Sequence, residues 1–269
     1  MQDRYAGDIG DYIKLALLIR LSPGHKLGVA WYKTADSANN DGRHISYLNP
    51  EFRAEWARYE PRLYERLRLI VDSDVRLISS LETIVPGEVK YHSAPLTSRT
   101  NREAWFDDLQ GCLHNCTLVF ADPDNGIEPD ARSGPVSIKS ISISEIWKLH
   151  FRLGRPVIFY HHQTRFKGGH VAEIEHIGER LKRRSLGCIL ALRARCWSPR
   201  VFFIVGANRE VWSAAERFAH HWSPHVTFHS IDGPPDGIGL PPSDPYSEWA
   251  DARVDAFFNR KQAAENPQA

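Results

Sequence analysis

The hydrophobic positions change period repeatedly along the chain, and the changes set out an alternation of helices and strands. Behind the polar opening Asp8-Ile9-Gly10-Asp11, the residues Ile13, Leu17 and Leu21 recur at one-turn spacing, which predicts a first helix capped by Asp8. A short apolar strand is expected over residues 27–32, followed by a polar loop over 36–42. Residues 51–71 carry the pattern of a long helix, which Pro61 breaks or restarts. Strands are expected at 75–78 and 89–92, then a helix at 99–113 with Trp105, Leu109 and Leu113 on one side. Leu118-Val119-Phe120-Ala121 and Val157-Ile158-Phe159-Tyr160 are continuous apolar runs, the mark of strands covered on both faces. Helices are expected at 144–151, 170–184, 210–222 and 247–261, with strands at 189–196, 201–205 and 226–229. The short link Ser198-Pro199 makes a hairpin of 189–205.

Apolar strands alternating with helices predict an α/β protein: a Rossmann-like three-layer α/β/α sandwich, mostly parallel, with a late antiparallel hairpin adding an edge. The length of 269 residues suits one domain, expected over 1–262, with 263–269 as a frayed tail. A hydrophobic fraction of 42% and a charged fraction of 25% support a full core. The formal charge of +1 shows no coat for nucleic acid, although a basic groove can sit within a balanced total. The opening residues form no charged-then-apolar leader, and the apolar run 15–21, broken by Arg20, is too short to span a bilayer. A cytoplasmic protein without a membrane partner is expected. Cys112, Cys116, Cys188 and Cys196 form no paired C-x-x-C knuckles and are expected as free thiols in a reducing compartment.

Ligands of such sheets bind beyond the carboxyl ends of the strands, which directs attention to the polar residues following Tyr32, Ala121 and Tyr160. Asp122-Pro123-Asp124-Asn125-Gly126-Ile127-Glu128 places three carboxylates and an amide in one turn. Pro-Asp-Asn-Gly is a good β-turn by itself, but a turn has no need of Asp122. His161-His162-Gln163 ends the next run; alternation lets at most one of the two imidazoles face the same pocket, as a general base or metal ligand. Asn39-Asn40-Asp41-Gly42-Arg43-His44 either cradles a polar ligand or forms a solvated turn. Arg193 and Arg195 share one face of a strand, either as a phosphate-binding patch or as a solvated edge. The glycine-rich dinucleotide loop, the Walker lysine loop, the G-x-S-x-G elbow and the H-E-x-x-H helix are absent.

Two of these motifs carry a resemblance. Tyr5-Ala6-Gly7, Gly10-Asp11 and Lys14 are similar to the Y-x-A-G-N-x-x-D-x-x-K-H opening of bacterial methyltransferases that modify an adenine amine in large-subunit ribosomal RNA. Asp122-Pro123-Asp124-Asn125 stands where those enzymes carry an acidic D-P-P-Y turn, and the element order from Leu118 onward looks like theirs. The chain departs from the family in that Asp124 and Asn125 replace the second proline and the aromatic, and Tyr32-Lys33-Thr34 follows the first strand without a glycine-rich turn. The resemblance implies S-adenosylmethionine over the first strand, with Tyr5, Gly7 and Lys14 lining the site. Asn40 and Asp41 join them as cofactor-side candidates by their place beyond that strand. On the substrate side the candidates are Asp122, Pro123, Asp124, Asn125 and His161. The leading expectation is an S-adenosylmethionine-dependent methyltransferase-like enzyme acting on a nucleic-acid base. Its first rival is a phosphoesterase or nuclease holding a divalent metal on Asp122, Asp124 and one of His161 and His162, beside Arg193 and Arg195. The second is a non-catalytic partner protein on the same scaffold.

Overall fold

The computed structural model describes residues 1–36, 44–73, 75–129 and 135–235. The expected helix at 247–261, the tail, and the candidates Asn40 and Asp41 lie outside the described residues. The first helix, α1 (Ile9–Leu21), starts where Asp8 accepts from the Asp11 N–H, and it is buried everywhere except at Arg20. A helix apolar on all sides belongs at the centre of a layer. It leads into β1 (Leu27–Trp31). Pro61 opens a helix instead of kinking one: its missing N–H is free of cost at a first turn, so the pattern over 51–71 divides into the single turn α2 (Arg53–Trp56) and α3 (Pro61–Asp72).

The strand expected at 75–78 does not form. Val75 and Leu77 are 57% and 41% exposed, so no sheet face receives them, and the chain turns into α4 (Ile78–Leu81). The elements that follow are β2 (Val89–His92), α5 (Arg102–Cys112), β3 (Leu118–Asp122), β4 (Gly126–Ile127), β5 (Ser140–Ile141) and α6 (Ile143–Phe151). Ser142 and Glu145 close a reciprocal capping box at the start of α6. Then come β6 (Val157–His162), α7 (Gly169–Lys182), β7 (Leu190–Ala194), β8 (Arg200–Val205), α8 (Arg209–His221) and β9 (Val226–Ser230).

The main sheet runs β2-β1-β3-β6-β8-β7-β9. Its first four strands are parallel; β8 is antiparallel to β6 and β7, and β9 is antiparallel to β7. The late antiparallel hairpin is present as β7 and β8 at that end of the sheet, with β9 added outside it. All six residues of β8 are buried, and such a strand needs neighbours on both sides, so it returns into the gap between β6 and β7 and leaves the edge to β9. One apolar cluster packs α1, α3 and α8 on one face, and a second packs α5, α6 and α7 on the other. The result is a Rossmann-like three-layer α/β protein. From β1 the chain steps outward to β2 and then back across to β3, so the strand order reverses between β1 and β3. No described helix is long and apolar enough to cross a membrane.

Candidate functional site

Asp122 is the last residue of β3 and pairs in register with Trp31 at the end of β1, which puts its carboxylate at the reversal point of the sheet. Lys14, on the second turn of α1, passes its ammonium 5.4 Å from the Trp31 ring centre. Its Nζ lies 2.7 Å from Asp11 Oδ1 and 2.7 Å from Asp122 Oδ2. All three residues are buried. Burial raises the carboxyls of Asp11 and Asp122 above their ordinary value, against the opposing pull of Lys14. Burial also lowers the Lys14 ammonium, but the two carboxylates outweigh it and hold it above the ordinary lysine value. Lys14 therefore stays charged and ties α1 to β3. Only Oδ2 of Asp122 is used; among the described residues nothing donates to its Oδ1.

Asp124 turns to the start of the chain. It forms an ion pair with the Met1 amine and accepts from Gln2 Nε2 at 2.9 Å and Thr34 Oγ1 at 3.1 Å. Burial raises its carboxyl, but the Met1 amine and these donors bring it below the usual carboxylate range. The Met1 amine also donates to the Tyr32 carbonyl at 2.7 Å, and the Thr34 N–H donates to the Met1 carbonyl at 3.0 Å. Met1 and Gln2, both buried, thus close the space beyond β1. Nothing in the hydrophobic pattern signals this role for them.

Alternation along β6 separates the two histidines. His162 faces a cleft of about 510 Å³, with its Nδ1 3.3 Å from the Tyr160 hydroxyl. Burial pushes the Tyr160 phenol up to about 12, so it remains protonated beside the imidazole. His161, the expected catalytic histidine, is buried on the opposite side with Nε2 3.4 Å from Glu173 Oε1. Glu173 also accepts from the Thr164 N–H at 3.0 and 3.1 Å and from Thr164 Oγ1 at 2.6 Å. Burial raises its carboxyl, but the hydrogen bonds from His161 and Thr164 outweigh that and bring it to about 2. Beside His161, Gly126 has φ +86°, and a Cβ there would lie 2.4 Å from the Cα of His161.

The cleft gathers Tyr5 and Lys14 from the opening segment with Asp122, Pro123, Asp124 and Asn125 from the acidic turn. Gly7 lies outside it. Its φ of +86° and its approach to Val71 explain the glycine, and its N–H donates to Asp11 Oδ2 at 3.0 Å. Of the loop containing Asn40 and Asp41, only the flanking His44 is described, and it lines the cleft. Arg193 and Arg195 are elsewhere: Arg193 donates to Gln163 Oε1 at 3.2 Å, and Arg195 donates to the Pro224 carbonyl at 3.3 Å. Pattern reading names Tyr160 as a strand end and groups Arg200 with Arg193 and Arg195 around the Trp197 turn, but it places neither Tyr160 nor Arg200 in this cleft. Both follow from the β6–β8 register, in which Arg200 stands directly opposite His162 and so shares its face.

Among the described residues no group of three or more His, Cys, Asp or Glu side chains is arranged to hold a metal. Asp122 and Asp124 are each neutralised by an ammonium, and His161 lies on the other face. Met1 and Gln2 occupy the end of β1, the strand over which the resemblance implies S-adenosylmethionine. No protein-family model matches the chain, and comparison with curated proteins gives no match.

Proposed function

We propose that the chain is an enzyme of methyltransferase-like architecture whose cleft receives the amine edge of a nucleobase. One observation carries this reading: Asp122 pairs with Lys14 through Oδ2, while its Oδ1 has no donor among the described residues, and the residue lines a cleft at the reversal point of the sheet. An exocyclic amine is a donor that completes this carboxylate. The turn lacks the aromatic of the family it resembles, but Tyr160 on the neighbouring strand lines the same cleft and offers a ring there. The volume of about 510 Å³ falls within the roughly 300–1,000 Å³ of small-molecule sites. His162, oriented by Tyr160, is placed to take up a proton that the amine releases on reaction. The direct contact of Lys14 with Asp122 also joins the two motifs on which the resemblance rests. Methyl transfer is the reaction class that resemblance implies, and a methyl donor has to bind away from the closed end of β1.

Calorimetric titration with adenosine, cytidine and S-adenosylmethionine tests the reading. A hydrogen bond to a charged group is worth about 1.5–3 kcal/mol, so Asp122→Asn should weaken nucleoside binding by roughly tenfold or more. Glu173→Gln, on the opposite face, should leave it unchanged. Wild-type protein that binds neither nucleoside overturns the proposal. Nucleoside binding without any binding of S-adenosylmethionine removes methyl transfer and keeps the amine subsite.

A further inference from the structure

We propose that Arg200 and the first turn of α1 form an oxyanion subsite in the same cleft, built for a phosphate group. Arg200 is 3% exposed at the start of β8, and the cleft is lined by it. A guanidinium so far out of water is costly unless an anion pairs with it. Its Nη2 donates to Ser198 Oγ at 2.7 Å, while its Nε is out of solvent and has no acceptor. No carboxylate among the described residues lies within ion-pair distance of it. Of the other ammonium groups of the cleft, Lys14 is committed to Asp11 and Asp122 and Met1 to Asp124, while Lys139 lies 3.9 Å from Asp124 Oδ2.

The helix meets Arg200 at Gly10. A Cβ on Gly10 would fall 2.3 Å from Arg200 Nη1, so this residue leaves room for the guanidinium to lie against the helix start. Asp8 also approaches Gly10, but its Oδ1 accepts from the Asp11 N–H as the helix cap. The Ile9 N–H is taken by the His44 carbonyl. The Gly10 N–H has no acceptor among the described residues. A free N–H at the positive end of a 13-residue helix and a buried guanidinium without a direct ion pair among the described residues therefore border one cleft. Planar guanidinium donors and a helix start together suit a tetrahedral phosphate. The phosphate is either free or esterified. The nucleobase reading rests on Asp122 and this one on Arg200, so the two come together only if the ligand is a nucleotide.

Calorimetry with inorganic phosphate, adenosine 5′-monophosphate and adenosine tests both sources. Wild-type protein should bind the monophosphate at least about tenfold more tightly than adenosine, the effect of one charge-assisted contact. Arg200→Gln should remove that difference and leave adenosine binding intact. Because Arg200 is buried, Gly10→Ala provides a second variant: it keeps the charge but displaces the guanidinium, and it should weaken monophosphate binding in the same direction. Inorganic phosphate that binds without adenosine supports the subsite and overturns the nucleobase reading. Equal affinity for adenosine and its monophosphate, without binding of inorganic phosphate, overturns the subsite. Phosphate binding that survives both substitutions overturns it as well.

Discussion

Two clusters built around buried carboxylates, Asp11 and Asp122 in one and Glu173 in the other, sit beyond β3 and β6 on opposite sides of the sheet, and they are built to different ends. Behind the sheet the carboxylate is fully used: Glu173 takes the Thr164 N–H, the Thr164 hydroxyl and the His161 imidazole, and the histidine ring is closed in by Phe203 and Gly126 with its Nδ1 buried and without a partner among the described residues. In front it is not. Lys14 serves Asp11 and one oxygen of Asp122, and the remaining oxygen of this cleft-lining residue is left without a donor among the described residues. Burial and pairing are common to both, and so are shifted carboxyls. What separates them is an unspent acceptor beside an open volume. Displaced titration marks a functional candidate only where those two conditions are added to it.

The comparison breaks most severely at Lys14. Lys14→Met leaves Asp11 and Asp122 buried without their cation, and removing one partner from a buried ion cluster costs about 3–5 kcal/mol. Urea denaturation followed by tryptophan fluorescence measures it, and a loss below about 1 kcal/mol would deny the triad its structural role. Both carboxyls sit above their ordinary value, so the folded state binds their protons more readily than the unfolded chain. The variant should accordingly regain stability as pH falls. Gly126→Ala strikes the rear cluster at His161. A positive φ and a Cβ 2.4 Å from the His161 backbone combine strain with overpacking, for an expected loss of roughly 2–4 kcal/mol by the same denaturation.

Gly126 also shows why part of the site was legible in the sequence and part was not. The turn Asp122-Pro123-Asp124-Asn125-Gly126 stands out because its residue types fit a strand end and a turn at once, and local chemistry of that kind survives folding. The buried strands β3 and β6 are legible for the same reason, as unbroken apolar runs. Choosing between His161 and His162 needed the phase of β6 relative to the cleft, which alternation alone leaves open by one residue. Arg200 needed the pairing of β8 with β6, a contact set by where a hairpin docks. Alternation favours Arg193 and Arg195 as the patch, but the partner of Arg193 across the hairpin, Val201, lies opposite His161, on the rear face. The failure at 75–78 is of a third kind: Val75 and Leu77 have strand chemistry but no sheet to join.

Glu173 sharpens the contrast through the sign of its pH dependence. Its carboxyl is held at about 2 in the fold against an ordinary 4.5. The stabilisation it supplies is complete above 4.5 and is lost as pH falls from 4.5 toward 2, the reverse of the front cluster. Glu173→Gln should cost roughly 1–3 kcal/mol at neutral pH, the value of charged hydrogen bonds left to a neutral amide. It should also flatten the fall in denaturation midpoint across that acidic window. A variant whose midpoint falls as steeply as the wild type's would remove Glu173 from the account.

The smallest effect is the most discriminating, because it falls on adjacent residues. His161 is 4% exposed, so His161→Ala deletes a packed ring, empties space beside Phe203 and strips Glu173 of a partner, for about 2 kcal/mol. His162 is exposed, and His162→Ala should change stability by no more than about 0.5 kcal/mol. Ligand affinity should run the other way, with nucleoside binding weakened in His162→Ala and retained in His161→Ala. The pair is compared in one denaturation series and one titration series. If His162→Ala proves the more destabilising while His161→Ala abolishes binding, the phase of β6 is reversed, and the division into a fully used rear carboxylate and an open front one is lost with it.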